Sequence, residues 1–145
     1  MPHVTEVWGT GRPTYNCGAN TITGGRLVMP DGTTGKIIHA AANSKLCLGV
    51  AVDDAVPDGS QTTEGYNVTA AIIRPDVAVA RYGVYSLTFA ANCPFGSFVV
   101  CAANGTVTPY TSGTSTYDQI VGRCVETGGV VIATKVTGRV ALLNL

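Results

Sequence analysis

The stretch MPDGTTGKIIHA, residues 29–40, is the nearest approach in this chain to a loop that cradles phosphate: a glycine-rich turn closing on Gly35-Lys36. Such a loop uses an early glycine to open the turn, backbone N–H groups to ring the phosphates, a lysine to reach them and a following hydroxyl to hold magnesium. Pro30 stands where the opening glycine belongs and has no N–H to donate, and Ile37 replaces the hydroxyl residue. The nucleotide reading fails on both counts. Pro30-Asp31-Gly32 reads instead as the reversal of a hairpin joining Leu27-Val28-Met29 to Ile37-Ile38.

Other reactive constellations are equally sparse. Asp53-Asp54 is the adjacent carboxylate pair, and neighbours on an extended chain point to opposite faces, so the two cannot easily share a proton or a metal. With Asp58 they make a polar turn, VDDAVPDGSQ, that lacks the alternating oxygen ligands and closing glutamate of a calcium loop. No G-x-S-x-G elbow occurs. The five cysteines, Cys17, Cys47, Cys93, Cys101 and Cys124, form no C-x-x-C pair, and neither His3 nor His39 lies at zinc-ligand spacing from them. Their odd number rules out a complete internal disulfide framework, and their apolar neighbours mark them as buried, reduced thiols. The expectation is therefore no catalytic residue, no cofactor, no metal, and synthesis in a reducing cytoplasm.

The elements that would carry any site are strands. Short β-branched or aromatic runs are punctuated by Gly, Pro, Asn and Asp at intervals of roughly ten residues, which is an all-β rhythm without a convincing helix. Strands are expected at 4–8, 26–29, 36–40, 46–52, 66–73, 77–81, 84–89, 97–101, 106–110, 119–125, 130–136 and 139–143. Thr127-Gly128-Gly129 is expected to turn a hairpin and Thr137-Gly138 to make a second tight reversal. Two segments also resemble each other. GRLVMPDGTTGKI from Gly25 matches GSFVVCAANGTV from Gly96, and LCLGVAVDDA from Leu46 matches QIVGRCVETGG from Gln119, aligning Gly49 with Gly122 and Asp53 with Glu126. Two related β units on one core are expected.

Composition limits the partners. The 145 residues carry nine basic and nine acidic side chains, so no net field draws in nucleic acid or an anionic membrane. Charged residues are only 12 % of the chain, about half the usual share, against 46 % apolar. Such a surface suits burial against a partner. The aromatic residues are not interleaved with lysine and arginine as a stacking groove for single strands would require. The start, MPHVTEVWGTGRP, lacks the basic and apolar regions of a secretory signal, and no run approaches the length of a membrane span.

The order of the pieces GRLVMPDGTTGKI, LGVAVDDAVPDGSQ, VAVARYGVYSLTFAANCPFGSFVVCAANGTVTPY, DQIVGRCVETGG and GRVALL resembles the head-decoration, or capsid cement, proteins of tailed bacteriophages. The likeness covers about residues 24–143 and rests on glycine and apolar spacing. It implies a single-domain β-sandwich or small β-barrel-like module. Many copies would sit on the outer surface of an icosahedral capsid, binding the major capsid protein and stabilising contacts between its subunits. It also implies self-association, a homotrimer by analogy with the family.

The chain before that, PHVTEVWGTGRPTYNCGANTITGG, departs from the family in its length and its Thr, Gly and Asn content. Residues 1–23 are read as an N-terminal arm, with the decoration domain at 24–145. Pro2, His3, Val4, Val7, Trp8 and Tyr15 are the expected capsid or inter-subunit contacts, Trp8 as a large amphipathic anchor. The alternative reading is a virion-surface module that recognises host carbohydrate. It would use the loop TPYTSGTSTYDQ, where Tyr110 and Tyr117 supply aromatic faces and Asp118 a polar partner.

Overall fold

A computed structural model describes residues 12–57 and 75–143 of the chain. It is all-β, as the punctuation of the sequence predicts. Among the described residues ten strands form two five-stranded units: β1 (Thr14–Cys17), β2 (Leu27–Pro30), β3 (Lys36–His39), β4 (Gly49–Ala51) and β5 (Asp76–Ala80), then β6 (Gly83–Thr88), β7 (Phe98–Cys101), β8 (Val107–Pro109), β9 (Ile120–Cys124) and β10 (Thr137–Leu142). Two short 3-10 turns, Ala103–Gly105 and Tyr117–Gln119, are the helical elements among the described residues.

The first unit closes into a barrel in the order β1-β3-β2-β4-β5, and the second is a sheet in the order β6-β10-β9-β7-β8. Taken as a ring that starts at β6 and runs backwards, β6-β8-β7-β9-β10, the second order is the first with each strand replaced by its counterpart five places later. The correspondence extends to single bonds. β1 runs antiparallel to β5 and parallel to β3; β6 runs antiparallel to β10 and meets the β8 strand through a parallel bridge, Phe89 to Val107. Gly18 N–H donates to Ile37 O at 2.7 Å, and Ala90 N–H to Val107 O at 2.8 Å. Ile22 bridges Ala55 as Cys93 bridges Val130. Gly25 N–H reaches Ala51 O and Gly96 N–H reaches Cys124 O, both at 2.8 Å. The likeness between the two glycine-led segments is thus a duplication of one five-strand topology.

Glycine is needed at the aligned positions for a physical reason. Val28 pairs with Gly49 and Val99 with Gly122 in equivalent registers. A Cβ on Gly49 would fall on the carbonyl oxygen of Ala80, and one on Gly122 on that of Ala141. The next strand lies too close for any side chain there.

Among the described residues two clusters make the core. Cys17, Ile22, Val28, Ile37, Ala51, Ala55, Val77 and Val79 form one, in the first unit. The larger joins Leu27, Ala40, Val50 and Ala80 of the first unit to Leu87, Phe89, Val99, Cys101, Val107, Val121 and Val140 of the second. Alternate residues of β2, β4 and β5 serve the two clusters, so these strands are buried on both faces and read as unbroken apolar runs. The turn Ala103–Gly105 completes the join: Gly105 N–H donates to Ala40 O at 2.9 Å and the Arg26 guanidinium to Asn104 O at 3.1 Å.

Several expected elements change. Thr14–Cys17, placed in the arm by the sequence, is a barrel strand. Only Cys17 of its four residues is fully buried, so no apolar alternation announces it. Val130–Val136 is not a strand. Val130 makes one bridge, and the chain then turns, with Thr134 and Lys135 N–H both donating to Val131 O at 2.9 Å. Consequently Thr127-Gly128-Gly129 turns the chain, Gly129 N–H to Glu126 O, without closing a two-strand hairpin. Thr137-Gly138 is no reversal but the start of β10; Gly138 is there because a Cβ would strike Val130. The expected strand at 46–52 contracts to Gly49–Ala51. Those expected at 4–8 and 66–73 lie outside the described residues.

Candidate functional site

The groups with chemical potential are mostly engaged in holding the fold. The 29–40 stretch is the β2–β3 hairpin, with Asp31 N–H donating to Lys36 O at 2.8 Å and Gly32 and Gly35 at φ +57° and +76°. Asp54 accepts the Gly24 N–H at 2.7 Å, which leaves it a turn acceptor instead of half of a carboxylate pair. Asp58 lies outside the described residues. Among the described residues no three His, Cys, Asp or Glu side chains gather as a metal site.

All five cysteines are free, four buried and Cys47 half-buried. Burial, with Cys124 alongside, pushes the Cys93 thiol up to about 12, and burial also raises Cys17. Cys101 is raised by its hydrogen bond to Cys47 and by burial, and the same bond lowers Cys47. A thiol held protonated inside a core is a poor nucleophile. His39 is occupied too: its Nε2 accepts the Thr23 N–H at 2.9 Å. A depression of 280 Å³ beside Val130, Val131, Thr134 and Lys135 has Glu126 on its wall, but that carboxylate is committed to Arg139, whose backbone N–H it accepts at 2.8 Å.

What remains is surface. Among the described residues eleven large hydrophobic side chains are exposed, and eight belong to the second unit. One group lies on the outer face of its sheet. The cross-strand row Val84, Ala141, Arg123, Phe98 runs through β6, β10, β9 and β7, with the Arg123 guanidinium 4.5 Å from the Phe98 ring centre. A second group, Phe95, Val131, Ile132 and Val136, sits about the turn that replaced the expected strand. The apolar residues of this turn have the composition of a strand, yet Val131, Ile132 and Val136 lie outside, not in.

Of the expected contact residues, Pro2, His3, Val4, Val7 and Trp8 lie outside the described residues. Tyr15 is on β1 and packs half-buried against the first-unit cluster. Arg12 leaves the barrel beside β6, its guanidinium 5.8 Å from the Tyr85 ring and 3.3 Å from the Tyr85 hydroxyl.

The loop after β8 does bring together the residues named for it. Tyr110 and Tyr117 stack with ring centres 5.6 Å apart and planes 12° from parallel. Asp118 pairs with Lys45 at 2.8 Å and with the Thr116 hydroxyl; those contacts, Lys45 first, hold its carboxyl below the usual range. Lys45 was not foreseen, because it comes from the β3–β4 link of the other unit and nothing local in sequence marks it.

No protein-family model matches the chain, and no curated protein matches it. Among solved structures, the fold is similar to the head fiber gp8.5 N base of bacteriophage phi29, at 16 % identity and a TM-score of 0.56, over 91 % of this chain and 94 % of that one.

Proposed function

We propose that this chain is a structural protein of a bacteriophage head. It binds the major capsid protein on the outer surface of the capsid and stabilises contacts between capsid subunits. The observation that carries the reading is the fold shared, over nine-tenths of both chains, with a protein named as a head fiber base. Support comes from the head-decoration resemblance over residues 24–143, and from a near-neutral surface with apolar side chains concentrated on one unit. A protein that reinforces a shell needs no reacting group; it needs modest contacts multiplied by symmetry. Few charges also make those contacts insensitive to salt.

In this reading the chain is made in the host cytoplasm, acts as a homo-oligomer, a homotrimer at three-fold lattice positions, and uses neither nucleic acid nor membrane. The arm supplies Pro2, His3, Val4, Val7 and Trp8 as further contacts. Its removal must stop short of Pro13, whose carbonyl accepts the Val79 N–H at 2.9 Å in the barrel. Co-sedimentation with undecorated capsids tests the whole. The intact chain is expected to pellet with capsids at saturable stoichiometry, and deletion of residues 2–11 to weaken that binding about tenfold or more. No co-sedimentation by the intact chain overturns the reading; unchanged binding after deletion removes the arm from it.

A further inference from the structure

The loop after β8 carries an aromatic ring in an unusual state. Tyr117 is 80 % exposed, yet it is held in place. One face lies on Tyr110, itself fixed by its N–H to Phe98 O at 2.8 Å. The 3-10 turn bearing Tyr117 is closed by Gln119, almost fully buried, whose side-chain oxygen accepts the Thr116 N–H at 2.9 Å. Immobilising a large, half-apolar ring that stays 80 % exposed costs side-chain entropy against which the fold gains only the one stacking contact. A rigid, open π-face beside directed polar groups is what ligand binding uses.

Thr116 and Asp118 flank Tyr117 in the chain, and Lys45 reaches Asp118 from the first unit. The Asp118 carboxylate offers hydrogen-bond acceptors and the Lys45 ammonium offers donors, joined at 2.8 Å, with both side chains more than half exposed. The Thr116 hydroxyl completes the edge. Because the two charges cancel, the site presents no net charge, which disfavours a phosphate or a strongly ionic ligand. With no enclosing groove it does not suit a purely apolar one. A pyranose fits all three conditions: a flat C–H face for the ring, and hydroxyls that both donate and accept around its rim.

We propose that Tyr117, backed by Tyr110 and edged by Asp118, Lys45 and Thr116, is a binding platform for a neutral saccharide. The site joins the two units, since Lys45 comes from the first and the loop from the second. It uses none of the arm residues proposed as capsid contacts and lies apart in sequence from the Val84–Phe98 row, so the two activities separate by mutation.

The test titrates the full chain with maltotetraose and with chitotetraose, following the tyrosine ring resonances by NMR, with inorganic phosphate as the control anion. At least one oligosaccharide is expected to shift the Tyr117 resonances saturably, with a dissociation constant of about a millimolar. Tyr117→Phe should retain that binding, whereas Tyr117→Ala should weaken it about tenfold or more. Asp118→Asn should weaken it while leaving the stack intact. Co-sedimentation of Tyr117→Ala with capsids should match the parent chain. Silence with both sugars, equal binding by Tyr117→Ala, or a response to phosphate alone overturns the proposal, whatever the capsid experiment shows.

Discussion

His39 ends β3 with its ring half-buried and its Nε2 accepting the Thr23 N–H at 2.9 Å. Burial, and then the positive charge of Arg26, lower its pKa from the ordinary 6.5. Protonation would also turn that acceptor nitrogen into a donor facing another donor. The sign follows: the folded state favours the neutral ring, so the full contribution of His39 to stability is present above pH 6.5. It is lost as pH falls from there through the lowered folded value. NMR titration of the imidazole should give a pKa below 6.5, and melting temperature should begin to fall on the acid side of that value. From the sequence, His39 could be recognised only as lacking ligand partners. Its true partner is a backbone amide in a loop, which no side-chain pattern reports. Tyr110, Tyr117 and Asp118 were legible because loop aromatics next to an acid have few other uses, while Lys45 was not.

At the level of strands, the two halves agree where a glycine has no freedom to be anything else. Alanine at Gly49 or Gly122 would press a methyl onto the backbone of β5 or β10, and Gly49 also sits at φ +143°. Each substitution should cost about 1–3 kcal/mol in urea unfolding, with Gly49→Ala the worse. Gly128→Ala meets nothing within 4 Å and carries only the strain of φ +80°, so about 1 kcal/mol is expected. Most strands were readable because their burial alternates or is continuous, as at Leu27–Pro30 and Phe98–Cys101. Two kinds of error have physical causes. β1 contributes one fully buried residue and depends on its neighbours for its form, so its own residues give little signal. Val131, Ile132 and Val136 have strand-forming side chains but remain outside, where burial, the usual reason for such residues, does not apply.

For the molecule as a whole, the larger core cluster decides how the halves behave. Leu27, Ala40, Val50 and Ala80 of the barrel are buried in the same cluster as Leu87, Val99 and Val140, so neither unit keeps its core if the other opens. The intact chain should therefore melt in one calorimetric transition, with calorimetric and van't Hoff enthalpies equal. Leu27→Ala should remove about 2–5 kcal/mol from the whole transition without splitting it. Two separate transitions would show that the units fold independently. The duplication was visible in sequence from its glycines, but the closed order of strands was not, because parallel contacts such as Cys17 to Ile37 join residues that share no local pattern. Arg12 enters beside Tyr85 of β6, and Tyr85 pairs with Val140 of β10. Anything gripping the chain at residue 12 therefore also stands next to the β6–β10 pair, so a single point of tether sets the compass bearing of the second sheet.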